Sequence, residues 1–302
     1  MPTYNRASFV GAAVESLLDM QLPADPDGPH AGTPLDYEVV VVDDGSADTT
    51  PEVLAAISHP RLRVVRQDNG GPAAARNRGV KEANGELIAF TDDDCRPHAD
   101  WLVQLLGPFA DPSVAAVGGR TLPVSTDDVI SRFMTHRHYQ ELPREIDGEI
   151  RWVVTCNAAL RRSALEQVGG FDESFPVPGG EDTELCSRLR GAGYVLAVAP
   201  EAVVLHDHSW RSLRAFYDTW RRYGRGDARA MHLQGRPLDV RSTVLSDVRF
   251  CARTVRAGVR DARGGLKPSD AAAFVALDIS RMVSQRAGLY QEYRGLRRSR
   301  GA

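Results

Sequence analysis

The chain has 302 residues, 42% of them hydrophobic and 25% charged, an ordinary composition for a globular chain long enough to bury a sizeable core. Its formal charge of −3 hides an asymmetry: residues 1–208 hold 17 Lys and Arg against 32 Asp and Glu, whereas residues 209–302 hold 20 against 8, an acidic body with a basic tail. No run reaches the roughly 18 apolar residues of a membrane span, no signal peptide opens the chain, and Cys95, Cys156, Cys186 and Cys251 stand far apart without CxxC spacing. These features argue against a spanning helix, a disulfide scaffold and a zinc site, and favour a reducing cytosol.

In chain order, Met1-Pro2-Thr3-Tyr4-Asn5-Arg6 reads as a strand-to-helix turn. Phe9, Val10, Ala13, Val14, Leu17 and Leu18 then recur at helical spacing. A loop rich in Pro, Gly and Asp covers 23–34. Tyr37 to Val42 is a β-branched run ending in Asp43-Asp44-Gly45-Ser46, the pattern of a buried parallel strand. A short helix over 49–57, a strand over 62–65 and a helix over 73–83, with Pro72 just inside its start, come next. The strand 86–90 delivers Thr91-Asp92-Asp93-Asp94 at its carboxyl end.

A helix over 101–109 and a strand over 114–118 complete the nucleotide-binding half, 1–120, of a doubly wound, mostly parallel α/β sheet. The acceptor half, 121–210, reads as strand 152–155, helix 163–168, loop 169–180, helix 181–192 and strands 194–198 and 202–205. A basic helical extension, 211–302, follows, with helices over 212–229 and 271–293.

Three carboxylates at a strand end repel one another unless a cation is bound, and hard divalent ions take oxygen ligands. The chemical reading of Asp92-Asp93-Asp94 is therefore an Mg²⁺ or Mn²⁺ site bridging a diphosphate, and the plainer one a solvated turn capping the next helix. Asp43 and Asp44 end a neighbouring strand and can accept from a ribose or a base, or else cap the helix at Thr49, where Asp48 competes for the role. Arg76 has a base or phosphate within reach, or a surface ion pair.

Glu181 and Asp182 open a helix, where the dipole favours carboxylates; alternatively Asp182 is a general base. Of His206 and His208, on opposite sides of an extended segment, at most one enters a site.

Seven short stretches in order resemble the family 2 glycosyltransferases, whose nucleotide-binding domain is the GT-A fold. They are Pro2–Arg6, Val41–Ser46, Gly71–Asn77, Phe90–Asp94, Cys156–Arg162, Gly169–Glu173 and Gly180–Leu185, within about residues 1–210. The resemblance implies transfer with inversion from a nucleotide-sugar (UDP-, GDP- or dTDP-linked) to a hydroxyl of a glycan, lipid-linked or small-molecule acceptor, in cell-surface glycan assembly.

By resemblance, Thr3, Tyr4 and Asp44 contact the nucleoside, with Asp43 and Arg76 nearby. Asp92 and Asp94 bind the metal-diphosphate, and His206 is a further ligand. Asp182 is the base, and Glu181 and Asn157 line the sugar or acceptor side. Asp93 becomes the expendable middle residue. Family members carry an apolar strand ahead of the Pro-Thr-Tyr-Asn turn, so an apolar run of about five residues is expected upstream of Met1.

Two other functions compete. A non-catalytic nucleotide-binding module would share the motifs without turnover, and a sugar nucleotidyltransferase would share the sheet but open on a Gly-rich phosphate loop. In the tail, Phe216, Trp220 and Tyr223 alternate with Arg214, Arg221, Arg222 and Arg225. They either lie at a membrane interface or pack inward while the arginines reach solvent. The expected location is the cytoplasm, peripheral to the inner face of the plasma membrane, and the acidic body excludes nucleic acid as a partner.

Overall fold

A computed structural model describes residues 1–22, 36–139, 141–143, 145–175, 177–207 and 212–299. The loop expected over 23–34 and the residue His208 lie outside them. The elements in chain order are β1 (Pro2–Thr3), α1 (Val10–Leu18), β2 (Val39–Asp43), α2 (Thr50–Ala55), β3 (Leu62–Arg66), α3 (Pro72–Glu82), β4 (Leu87–Thr91), β5 (Cys95–Pro97) and α4 (Trp101–Leu106). They continue with β6 (Val114–Pro123), α5 (Val129–His136), β7 (Glu145–Ile146), β8 (Glu149–Ile150), β9 (Asn157–Arg161), α6 (Arg162–Val168), α7 (Glu181–Gly191) and β10 (Val195–His206). Three long helices close the chain: α8 (Leu213–Leu233), α9 (Val240–Arg263) and α10 (Pro268–Ser299).

The chain divides into two compact units. The first holds Met1–Val124, His138–Pro176 and Glu181–His208; the second holds Ser125–Arg137, Val177–Gly180 and Ser209–Ala302. The second therefore takes two stretches from within the segment expected as the acceptor half.

In the first unit, β1, β2 and β3 form a parallel sheet in that order, and β4, β9, β6, β10 and β5 form another. β6 and β10 are parallel, while β9 runs antiparallel to β4 and β6, and β5 antiparallel to β10. The α/β class is as expected, with more antiparallel pairing than the motif order suggested. Both faces of β2 and β4 are covered. Val39 and Val41 join one core with Val14, Leu17 and Leu105, while Val40 and Val42 pack with Ala75. Ile88, Phe90 and Leu160 join another with Leu165 and Leu189. Burial of both faces is why these strands read as continuous apolar runs.

Two strand expectations shift. Trp152–Thr155 is not a strand; the strand is the next segment, β9, whose small side chains fit between β4 and β6. The strands expected over 194–198 and 202–205 are one, β10, with an irregularity between Ala199 and Val203 where Pro200 cannot donate to a ladder. Between β2 and β4, which belong to different sheets, lies a cavity of about 290 Å³, lined by Leu17, Val40, Ile88, Phe90 and Trp101 among others. The apolar run expected upstream concerns residues before Met1, whose amino group donates to the Val40 carbonyl at 2.9 Å.

In the second unit, α5 carries Phe133 edge-on against Phe216 of α8 and Phe274 of α10, at centroid distances of 6.0 and 5.7 Å. Arg137 of the same segment donates to Asp261 and Asp278, and Arg132 to Asp270. These contacts explain why 125–137 leaves the first unit. Phe216 and Trp220 are buried, so the aromatic face of α8 packs inward. α9 was not anticipated, and it leaves Val240, Val244, Leu245, Val248, Val255 and Val259 exposed. No helix among the described residues is long and apolar enough to cross a membrane.

Candidate active site

The acidic turn after β4 is surrounded by cations. Arg76, buried on α3, donates to Asp92 Oδ1 at 3.1 Å and to Glu181 Oε1 at 2.8 Å. Arg6 lies 3.5 Å from Asp93 and 3.6 Å from Asp94, and His206 Nε2 lies 3.2 Å from Asp94 Oδ1. The repulsion that argued for a bound cation is thus partly relieved by Arg6, Arg76 and His206. Asp93, expected to be expendable, is the most enclosed of the three. Burial, then Asp94, pushes its pKa up to about 7. Burial works against the charge on His206, yet Asp94 beside it prevails and holds its pKa well above the ordinary value.

Asp182, half-buried at the start of α7, accepts from the Thr155 amide at 3.2 Å and from the Thr155 hydroxyl at 3.1 Å. Burial, then the neighbouring Glu181, raises its carboxyl to about 7, despite Arg76. Glu181 was expected on the sugar or acceptor side. It is 2% exposed and paired with Arg76, so it holds the guanidinium and presents no face to an acceptor. Arg76 was expected on the nucleotide or in a surface pair; it is instead a buried bridge between the strand-end and helix-start carboxylates.

The nucleoside-side residues form a second cluster. Thr3 pairs with Asp43 across β1 and β2. Asn5 accepts from the amides of Ala47 and Asp48, which stitches the two turns together. Asp43 accepts from Arg66 at 2.7 Å and from the Ser46 amide, while Asp44 accepts from Gln67 and the amides of Gly70 and Gly71. Neither caps α2: Asp48 accepts from Thr50 there. Both carboxylates are engaged in shaping their own loops, and Tyr4, 48% exposed, stands at the surface.

Asn157 was expected to line the sugar or acceptor side and is instead wholly buried. Its carbonyl accepts from Trp101 Nε1, and its amide donates to the carbonyls of Arg120 and Ala202. A Cβ on Gly119 would collide with that amide. Asn157 is a tie at the sheet centre, and no carboxamide atom is left for a ligand.

Sequence reading missed Arg6, which flanks the acidic turn, and Thr155, which holds the Asp182 carboxylate. Arg6 lies in the Pro2–Arg6 stretch, whose local pattern does not show that it reaches Asp93 and Asp94; Thr155 gives no signal in the sequence, because its partner is 27 residues away.

Residues 1–169 match the family described as glycosyl transferase family 2, and residues 87–266 match glycosyl transferase family group 2. The chain belongs to glycosyl transferase family 2. Similar proteins include a pre-mycofactocin glycosyltransferase of Mycobacterium tuberculosis, 36% identical over 191 residues, covering 59% of this chain and 40% of that one. Another is glycosyltransferase AglE of Haloferax volcanii, 29% identical over 68% of this chain and 65% of that one. The chain thus spans less than two thirds of the length of these family members. Among solved structures, the mannosyltransferase PcManGT of Pyrobaculum calidifontis, in complex with GDP-Man and Mn²⁺, aligns over 100% of this chain and 74% of its own, with TM-score 0.57 and 21% identity. That likeness concerns the fold, which is GT-A.

Proposed function

We propose that the protein is a divalent-metal-dependent, inverting glycosyltransferase acting on a nucleotide-sugar. The observation that carries the reading is the Arg76 bridge: it brings Asp92 of the acidic turn and the Glu181-Asp182 pair into one cluster, metal-diphosphate side and base side together. The residues fit a metal. Asp92 keeps 30% of its side chain exposed and Asp94 12%, carboxylate oxygens of the kind a hard divalent ion takes. Asp92 and Asp94 would hold an Mg²⁺ or Mn²⁺ ion, with His206 as the further ligand, and the ion would neutralise the departing diphosphate. The Mn²⁺ and GDP-Man of PcManGT support both the ion and the donor class.

Asp182 takes the proton of the acceptor hydroxyl as its oxygen bonds to the anomeric carbon and the bond to the diphosphate oxygen breaks on the opposite face. A pKa near 7 suits a base that works near neutral pH. Thr155 aims that carboxylate, and Arg76 fixes its distance from Asp92. Thr3, Tyr4, Asp43 and Asp44 frame the nucleoside pocket, the two aspartates by holding the loops that form it.

The test is Asp182→Asn. It should cut turnover by roughly 10²- to 10⁴-fold and retain Mn²⁺-dependent nucleotide binding; undiminished turnover would remove Asp182 from its role. A nucleotide-binding module would show no turnover in either form.

The basic tail supports a lipid-linked acceptor at an anionic membrane surface, and α9 is the element that meets it. Val240, Val244, Val248, Val255 and Val259 recur at spacings of four and seven along one exposed stripe. Arg249, Arg253, Arg256 and Arg260 lie exposed beside it. That is the pattern of a helix lying in a lipid interface.

A further inference from the structure

Cysteine spacing gave no hint of a metal site, yet the fold brings two of the four thiols to one imidazole. One ligand atom from each of Cys95, Cys156 and His206 lies within 4.8 Å of the others, the one such group of His, Cys, Asp or Glu side chains found among the described residues. Three strands assemble it. Cys95 opens β5 and faces His206 in the register with β10, and Cys156 immediately precedes β9. Asp94 closes a further side, its Oδ1 3.8 Å from Cys95 Sγ and 3.2 Å from His206 Nε2.

A buried cysteine by itself is a small hydrophobe, and most buried thiols need no further account. Two beside a histidine and a carboxylate form a different donor set, two sulfurs with nitrogen and oxygen, which matches borderline-soft tetrahedral ions. Both thiols are buried, so an ion enters past Asp94 and His206, which keep 12% and 13% of their side chains exposed.

We propose that Cys95, Cys156 and His206, with Asp94, form a site for one thiophilic divalent cation of the zinc class, and that filling it blocks the active site. On binding, each thiol releases its proton, the imidazolium releases one, and the freed lone pairs bond to the ion. The second half of the proposal rests on the reading of Asp94 and His206 as ligands of the Mg²⁺ or Mn²⁺ ion. Both sites draw on the same two side chains and cannot be filled together.

Binding is tested on the reduced, metal-free full chain by titration with Co²⁺, whose thiolate charge-transfer and tetrahedral ligand-field bands report the donor set. One equivalent should bind, and Zn²⁺ should displace it. Cys95→Ser and Cys156→Ser should weaken binding at least about 100-fold, while Cys186→Ser and Cys251→Ser leave it unchanged. No saturable thiolate band, or bands indifferent to both Cys95→Ser and Cys156→Ser, overturns the site. Should those variants fail to fold, alkylation mapping of the wild-type chain decides: stoichiometric Zn²⁺ must protect Cys95 and Cys156 selectively, and equal labelling with and without Zn²⁺ overturns the site.

Competition is read separately. Zn²⁺ should inhibit transfer, with excess Mn²⁺ restoring it. Thiolate binding without inhibition overturns the shared-ligand half alone, and loss of the Mn²⁺ requirement would count against the proposed function while leaving the thiol site standing.

Discussion

Asp182 carries opposite consequences for rate and stability. Its pKa stands at about 7 in the folded chain, against an ordinary 3.8. Folding therefore favours the protonated form. The stabilisation is fully present below about pH 4 and is lost as pH rises through about 7. A general base needs the other form, so kcat/KM should climb with pH to a plateau above about 7. Asp182→Asn should lose roughly 10²- to 10⁴-fold in turnover, yet unfold at higher urea than wild type at pH 8, with the difference vanishing towards pH 4. A variant no more stable at pH 8 would show that burial is not what raises this carboxyl.

Arg76 makes the complementary case. Asp92 and Glu181 outweigh the burial that opposes its charge and raise its pKa further. Arg76→Ala takes the guanidinium away from Glu181, 2% exposed, at a cost of about 3–5 kcal/mol. Urea unfolding of Arg76→Ala beside Arg76→Ala/Glu181→Gln checks this. The second substitution should recover much of the loss, because a neutral amide costs less to bury than a carboxylate that has lost its counter-charge; equal stability of the two variants would refute the pairing argument.

At the scale of elements, a cavity with Val40, Ile88 and Phe90 among its lining residues lies between β2 and β4, and β1 pairs with β2 only at Val42 and Asp43. The amino group of Met1 sits at its edge, its pKa pulled down to about 6 by burial. Five apolar residues added ahead of Met1 would give β2 a longer partner and replace that ammonium with a neutral amide. Each buried side chain contributes about 1.5–3 kcal/mol against about 1–2 kcal/mol of backbone entropy per residue. The extended chain should melt several degrees higher, and an unchanged melting temperature would mean the added segment does not enter the cavity.

A second element prediction concerns α9. Val244→Asp/Val248→Asp should abolish flotation with anionic vesicles and leave the melting temperature within a degree or two, since both side chains are more than half exposed. Flotation unaffected by the pair would move any lipid contact elsewhere.

The elements legible in the sequence were those with a strong local pattern. The run over 37–42 could only be a buried strand, and Asp92–Asp94 fell at a strand end because the apolar run stops there. β9 was missed because Asn-Ala-Ala-Leu has little strand character of its own; its place between β4 and β6 decides it. α9 was missed because its apolar residues face outward and its packed side is lean, so no inward stripe announced it. Arg76 and Glu181 are 105 residues apart, and no local pattern records such a pair. Cys95 and Cys156 are the same case, two unremarkable positions brought together by strand order.

For the whole molecule, the carboxylates of the acidic turn are held by side-chain cations, and metal and nucleotide have to compete with them. A nucleotide diphosphate alone adds negative charge beside Asp92 and Asp94 and should bind weakly. With Mn²⁺ present the ion offsets both sets of charge, and the two ligands should bind with positive coupling. In a thermal-shift panel of UDP, GDP and dTDP, each with and without Mn²⁺, one nucleotide at 100 times its dissociation constant should stabilise the chain by about 2.7 kcal/mol. That is a rise of roughly 5–10 °C for a domain of 150–250 residues, and the shift without Mn²⁺ should be much smaller. Asp94→Asn should remove the dependence on Mn²⁺ and keep a small shift with nucleotide alone, since Thr3, Tyr4 and the loops held by Asp43 and Asp44 are untouched. Equal shifts with and without the ion would mean that Arg6 and Arg76 meet the diphosphate directly. The acidic turn would then be a permanent partner of those arginines, with no metal in the reaction.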